Sequence, residues 1–181
     1  MRFLSGLLFA ACTIMSGTTD RITLPPASET FVSPSGEYRF IIEAVDGWKT
    51  LRSTAQMVRV TRGRQTLLWR IELPNRYRPK FAAVTNQGYT VTFDDWEHIN
   101  SPDAIAIYDP QGKAVRRYSF DAMVSAIGQD RVAVSRQAKT GLGYWLAGPP
   151  LVDKAGAKVL VPAAGGRIRV DPVTGSLEFV R

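Results

Sequence analysis

The sequence predicts an all-β fold built from three blade-like antiparallel units, and three features lead to this prediction. Apolar and polar residues alternate with a period of two after residue 30, as they do on strands with one buried face. Short runs rich in Asp, Pro, Ser, Asn and Gly divide the alternating segments into hairpins. One hairpin type recurs about 47 residues further along the chain, which is the spacing of propeller blades.

The recurring hairpin consists of two alternating strands joined by a turn that contains Gly. Its first copy joins 57–61 to 67–73 through Arg62-Gly63-Arg64. Its later copies join 105–108 to 114–118 and 167–170 to 176–180. In both later copies the turn opens with Asp-Pro and closes with Gly, which is the chemistry of a type I turn followed by a left-handed glycine.

A second type of hairpin precedes each copy of the first. It is clear at 31–42 and at 81–93, where a Gly-containing turn again separates two apolar runs. The third counterpart is weaker, and either 130–134 or 151–161 could supply it. The sequence therefore predicts two clear units of about four strands and one degenerate unit.

One short helix is predicted near 120–127. Ser119 is a favourable N-cap and Gly128 favours termination of the helix. Phe120, Met123 and Val124 fall on one helical face, which indicates a helix that covers a sheet edge.

The run Ser33-Pro34-Ser35-Gly36-Glu37-Tyr38-Arg39-Phe40 resembles the blade motif of TolB-like and WD40-like propeller proteins of bacterial envelopes. The resemblance implies an exported protein made of blades, and it brings no catalytic residues. About 150 residues after residue 30 provide three blades, fewer than ordinary propellers have. The protein is then an incomplete ring, a sandwich of blade-like hairpins, or half of a ring closed as a homodimer through exposed sheet edges.

The first residues indicate export. Arg2 precedes an apolar run at 3–11, and small residues follow, which is the order of a secretory signal. The run is shorter than the about 20 residues needed to span a bilayer. We therefore expect a signal at 1–19, a tether at 20–29 and the β-repeat domain at 30–181, located in the periplasm or at the outer membrane of a bacterium.

Phe9-Ala10-Ala11-Cys12 resembles the bacterial lipoprotein box, in which the Cys becomes the lipidated N-terminus. The resemblance implies a lipid anchor on Cys12, and Thr13 after it implies sorting to the outer membrane. The alternative is ordinary cleavage between residues 12 and 19. In either case, a membrane contact is expected only through a lipid anchor.

The inventory of reactive side chains excludes several chemistries. One Cys and one His cannot form a Cys/His zinc site or a disulfide within the chain. No Gly-x-Ser-x-Gly elbow, phosphate-binding loop or dinucleotide fingerprint is present. We expect no cofactor, and we expect a non-catalytic protein.

One polar loop is the candidate for a metal site or a general base. Asp94, Asp95 and His98 lie where a strand ends, and carboxylates with an imidazole suit a divalent cation. Neighbouring strand residues point to opposite faces, so these side chains converge only at a bend. The alternative is a solvated loop in which Trp96 packs between units.

The cationic residues are mostly arginine, 17 against 6 lysines, and arginine binds phosphate and carboxylate well. The candidate binding residues are Arg76, Tyr77, Arg78, Lys80, Trp96 and Trp145. An exported chain with such residues suggests an anionic cell-surface component or an envelope protein as partner, and nucleic acid is not expected. The alternative is a scattered soluble surface, with Trp145 in the core.

The leading functional interpretation is therefore a non-catalytic binding or scaffolding module of the bacterial envelope. A metal-dependent enzyme centred on Asp94, Asp95 and His98 is the first alternative. A cell-wall carbohydrate binder that uses Trp96 and Trp145 is the second. Fold alone does not choose among these functions.

Overall fold

The computed structural model describes residues 23–97, 101–136, 145–163 and 165–181. It confirms the all-β prediction: three four-stranded antiparallel sheets follow one another along the chain. We call them blades 1, 2 and 3. Blade 1 contains β1 (Ser28–Val32), β2 (Tyr38–Ala44), β3 (Ser53–Thr61) and β4 (Arg64–Glu72). Blade 2 contains β5 (Pro79–Val84), β6 (Thr90–Asp95), β7 (Ile105–Tyr108) and β8 (Ala114–Tyr118). Blade 3 contains β9 (Leu151–Val152), β10 (Val159–Ala163), β11 (Gly166–Asp171) and β12 (Ser176–Val180).

The first turn of each blade uses the same chemistry. In each blade, a backbone N–H before the turn donates to a carbonyl after it, at 2.9 Å in all three cases. The pairs are Ser33 N to Tyr38 O, Thr85 N to Tyr89 O, and Asp153 N to Lys158 O. The side-chain oxygen of each donor residue also accepts a backbone N–H from the far side of the turn, at 2.8 to 3.1 Å. Polar side chains that bond nearby backbone in this way favour turns over continued strands.

The second turns of blades 2 and 3 are also equivalent. Asp109 Oδ1 accepts the N–H groups of Gln111 and Lys113, both at 2.9 Å. Asp171 Oδ1 accepts the N–H of Val173 at 3.0 Å. These bonds fix the hairpins β7–β8 and β11–β12 at the places that the Asp-Pro turn chemistry predicts.

Blade 2 lies between the other two blades. Its face toward blade 1 packs in one apolar cluster, which includes Phe40, Met57 and Trp69 of blade 1. Its opposite face packs with blade 3 and α1 (Phe120–Ala126) in a second cluster. Every residue of β6 and β7 is consequently buried.

The two outermost faces carry charges. The outer face of blade 1 holds the ion pair Arg70–Glu43 at 3.5 Å, and that of blade 3 holds the pair Arg169–Glu178. Strands β2, β3 and β11 alternate between buried and more exposed residues, whereas β6 does not. The stack therefore ends in polar faces on both sides, as terminal repeats of stacked proteins do.

The helices confirm one prediction and correct another. Ser119 caps α1 by accepting the Ala122 N–H at 3.2 Å, as its sequence predicts. Residues 130–134 are not a strand, because Asp130 Oδ1 accepts the Ala133 N–H at 2.9 Å and α2 (Arg131–Arg136) follows. The alternative at 151–161 is the right one, since it forms β9 and most of β10. Neither helix has the length and hydropathy that crossing a bilayer requires, within the described residues.

The chain is ordered into the sheet earlier than the predicted boundary. β1 begins at Ser28, inside the stretch predicted as a tether. The preceding residues are held by two indoles: Trp96 Nε1 donates to Thr23 O at 2.7 Å, and Trp48 Nε1 donates to Pro25 O at 2.8 Å. The segment before β1 is thus attached to both blade 1 and blade 2.

Candidate functional site

The predicted polar loop begins at a bend in β6. Asp94 has a φ of 54°, in the left-handed region that a non-glycine residue seldom adopts. This bend turns both neighbouring carboxylates inward, so that Asp94 and Asp95 are both buried. Neighbouring carboxylates on a regular strand would point to opposite faces, and this bend allows them to lie on the same side.

Asp94 is 1% exposed, and burial raises its pKa to about 7. The Asp95 N–H donates to Asp94 Oδ1 at 3.0 Å and opposes this rise. The nearby Trp145 indole and Lys80 ammonium also favour the ionised form. Asp94 Oδ2 and Trp145 Nε1 nevertheless lack a hydrogen bond of normal geometry among the described residues. A carboxyl in this position is poised to hold a proton near neutral pH.

Arg78 and Lys80 lie on the other strand of the same pair, at the start of β5. Arg78 is 0% exposed, forms an ion pair with Glu29 of β1, and donates from Nε to Pro79 O at 3.0 Å. Lys80 Nζ lies 4.0 Å from the centre of the Trp96 ring, and the Arg78 guanidinium lies 5.6 Å from it. Burial and the Arg78 charge lower the pKa of Lys80. Both cations therefore contact the Trp96 ring, and Arg78 Nη1 has no hydrogen-bond partner among the described residues.

Asp95 belongs to a second group of acids. Asn75 Nδ2 donates to Asp95 Oδ1 at 2.7 Å, and burial raises the pKa of Asp95. Asp103 pairs with Arg117 at 2.5 Å, and Glu97 pairs with Arg76 at 3.3 Å. Among the described residues, no three acidic, His or Cys side chains are grouped closely enough to hold a metal ion. His98 lies outside the described residues, so a metal site that includes it stays a prediction.

Among the remaining predicted binding residues, the Arg76 guanidinium lies 6.0 Å from the centre of the Tyr77 ring, and Trp145 belongs to the apolar cluster between blades 2 and 3. Arg76 is paired with Glu97, and Tyr77 is buried with its ring edge against Trp48, at a centroid distance of 5.8 Å. Trp145 is 1% exposed and packs near Phe93, as the core alternative describes. Of the predicted binding set, the structure brings together Arg78, Lys80 and Trp96, and separately Arg76 and Tyr77. Two cations lie near the partly exposed Trp96 ring, and Trp145 is enclosed.

A groove runs along the axis on which the first strands of the three blades meet. β5 contacts both β1 and β9. The groove has a volume of ≈ 370 Å³ and is lined by residues 30–32 and 34, 82–84 and 150–152. Val32 is 51% exposed and Leu151 is 59% exposed on its walls. We call this feature the axial groove.

The axial groove was missed from the sequence, although a pattern marks it. Val32, Val84 and Val152 each stand one residue before the hydroxyl or carboxylate that closes the first turn of their blade, and a Gly follows four residues after each Val. This shared pattern aligns the third blade with the other two. It gives the equivalent residues, whereas their meeting on one axis depends on how the blades pack.

Comparisons with known proteins assign no family. No family model matches the chain, and no curated protein matches it. A crystal structure of HIRA residues 644–1017 is similar at a TM-score of 0.29 and 14% sequence identity, over 88% of this chain and 54% of that chain. The chain thus spans about half of the length of that HIRA structure. A similarity of this size establishes neither a shared fold nor a shared function.

Proposed function

We propose that the protein is exported to the bacterial envelope and acts there as a non-catalytic binding module. The observation that carries the proposal is the axial groove, to which all three blades contribute residues. Grooves where several elements meet are usual places of ligand binding. This groove is lined mostly by apolar side chains from all three blades, whereas the outer faces of blades 1 and 3 carry ion pairs.

The chemistry of the groove favours a protein partner. None of the described residues that line it is charged, although the chain carries a formal net charge of +7. Of the cations predicted to bind an anionic partner, Arg76 pairs with Glu97, Arg78 pairs with Glu29, and Lys80 lies over the Trp96 ring. Exposed apolar side chains such as Val32 and Leu151, set in a groove without charge among the described residues, favour a protein–protein contact.

Photo-crosslinking in intact cells tests this proposal. A photoreactive amino acid replaces Val32 in one variant and Leu151 in another, and Val173 is the control because it is 57% exposed in a turn away from the groove. We expect both groove positions to yield an adduct with the same protein, identified by mass spectrometry, and position 173 not to yield it. Identical adducts at all three positions, or none at the groove, would refute the proposed function.

Export rests on the signal-like segment at 1–19 and needs its own test. A fusion of the chain to alkaline phosphatase, which is active only outside the cytoplasm, should be active, and a fusion that lacks residues 2–19 should be inactive. Metabolic labelling with a fatty-acid analogue distinguishes the two fates of Cys12. Label on the wild type that is lost in Cys12→Ser would support lipidation, and an unlabelled wild type would support ordinary cleavage.

A further inference from the structure

β1 presents unpaired backbone groups to the axial groove. Among the described residues, its neighbour in the sheet is β2 alone. Ala44 N donates to Ala27 O at 2.8 Å, and Ser33 N donates to Tyr38 O at 2.9 Å. In an antiparallel pair the residues that bond the partner strand alternate with residues whose N–H and C=O groups point away. The backbone N–H and C=O groups of Thr30 and Val32 therefore point to the free edge of β1.

The groups at this free edge lie next to the exposed apolar wall. Thr30 and Val32 both line the groove, and Leu151 stands on its other side. Blade 1 lacks the devices that protect an edge at this point, since Pro34 lies beyond the strand and the charged Glu29 does not line the groove. An unprotected edge strand is a template for pairing with another extended chain.

The side chains that line the axial groove limit which segments can pair with β1. The described lining residues of the groove offer Val, Leu, Ala, Phe and Pro side chains and the hydroxyl of Thr30, and none of them is charged. A charged segment would lose its hydration without gaining an ion pair. The opening runs along β1 rather than into a closed cavity, which suits an extended chain that needs backbone partners along its length.

We propose that the axial groove binds an extended, uncharged apolar segment of a partner protein, which pairs with the free edge of β1 as an added strand. Backbone hydrogen bonds to Thr30 and Val32 hold the segment, and its alternate side chains contact Val32 and Leu151. This inference rests on the proposed binding function and names the class of ligand.

Paired N-methyl peptides test the inference on the purified protein. The probe is a fluorescein-labelled peptide, Gly-Ser-Val-Thr-Val-Ala-Val-Thr-Val-Ser-Gly, measured by fluorescence anisotropy. Two versions carry N-methyl groups on alternate residues of the Val-Thr-Val-Ala-Val-Thr-Val segment, one at its odd and one at its even positions. Only one of them blocks the edge that faces β1, so we expect one version to lose about tenfold or more in affinity and the other to keep most of it. A version with Lys at two Val positions should not bind.

A variant of β1 provides the second arm. Thr30→Pro removes the N–H that points to the groove and leaves the β1–β2 ladder intact, because Pro is tolerated where an edge N–H faces outward. Ser28→Pro makes the same change on the same edge outside the groove. We expect Thr30→Pro to weaken binding of the unmodified peptide about tenfold and Ser28→Pro to leave it unchanged.

The outcomes separate the inference from the proposed function. No binding of the unmodified peptide, or equal binding of both N-methyl versions, overturns strand addition even if the groove still yields a specific adduct in cells. If Thr30→Pro fails to fold, by circular dichroism, the pair of N-methyl peptides decides the matter alone. Loss of the adduct in cells would instead refute the binding function itself.

Discussion

Blades 1 and 2 share a strand plan and differ in what covers them. In blade 2, Thr92 and Ala106 are paired across β6 and β7, and both are fully buried. The corresponding pair in blade 1 is Ile41 and Gln56, and both are partly exposed. Small side chains therefore stand where another blade packs, and larger or polar ones stand where the stack ends.

The same contrast holds for the acidic residue at the end of the second strand. Asp94 of blade 2 is buried at a bend, whereas Glu43 of blade 1 pairs with Arg70 near the surface. Position within the stack, rather than position within the strand, decides whether a carboxylate is solvated. A terminal blade can thus keep the repeat plan and still end the stack in water.

The largest expected difference between the blades is in stability. Phe93→Ala in β6 removes a fully buried ring that packs near Trp145, and should lower the free energy of unfolding by about 3–5 kcal/mol. Leu67→Ala in β4 removes an exposed side chain and should change it by less than about 0.5 kcal/mol. Urea denaturation followed by circular dichroism measures both. Equal effects would contradict the contrast between the central blade and the terminal blade.

The second difference is in pH dependence. The Asp94 carboxyl ionises near pH 7 when folded and near its ordinary 3.8 when unfolded, so between these values the folded state holds a proton that the unfolded state has released. Stability should therefore fall as the pH rises from about 5 to 7, by at most about 1.4 kcal/mol per pH unit. Burial raises the pKa of Asp95 and acts in the same direction.

Two variants isolate the Asp94 contribution. Asp94→Asn tolerates the left-handed backbone and should flatten the fall in stability between pH 5 and 7, in urea denaturation at several pH values. Glu43→Gln, at the corresponding place in blade 1, should keep the wild-type profile. An unchanged profile in Asp94→Asn would show that this carboxyl does not hold its proton near neutrality.

A smaller difference in stability is expected between Ala variants of two turn glycines, Gly112 and Gly63. Gly112 has a φ of 82°, and a Cβ there would lie 2.8 Å from the Trp69 ring of blade 1. Gly63 has a φ of 77° in the equivalent turn of blade 1, with nothing within 4 Å. Ala at either position is strained by the positive φ, so this penalty cancels in the comparison. The added clash with the Trp69 ring should make Gly112→Ala more destabilising than Gly63→Ala by about 1–2 kcal/mol, the cost of overpacking. Equal losses of stability for the two variants in thermal denaturation would show that Gly112 does not pack closely against Trp69.

The smallest effect is expected on the polar outer face of blade 3. Arg169→Ala breaks its exposed ion pair with Glu178 and should alter the free energy of unfolding by less than about 0.5 kcal/mol. A loss above about 2 kcal/mol in urea denaturation would show that this face is covered in solution, as closure of the ring by a second copy requires.

The sequence predicted the hairpins well and the packing poorly. The hairpins depend on local turn chemistry, such as the Asp109 and Asp171 side chains that bond their own turns. The helix at 131–136 was missed because four alternating residues do not distinguish a strand from a short capped helix. The burial of Arg78 was also missed, since it depends on Glu29 and Phe31 in a distant strand. The axial groove depends on all three blades and could not be located from any one of them.

A second-site test in cells measures whether one partner occupies the axial groove. The photoreactive residue stays at position 32 while Leu151→Glu or Val173→Glu is introduced, two changes at similarly exposed sites. We predict that Leu151→Glu abolishes the partner adduct from position 32 in a chain that remains folded, and that Val173→Glu preserves it. An adduct of undiminished yield in Leu151→Glu would contradict the account.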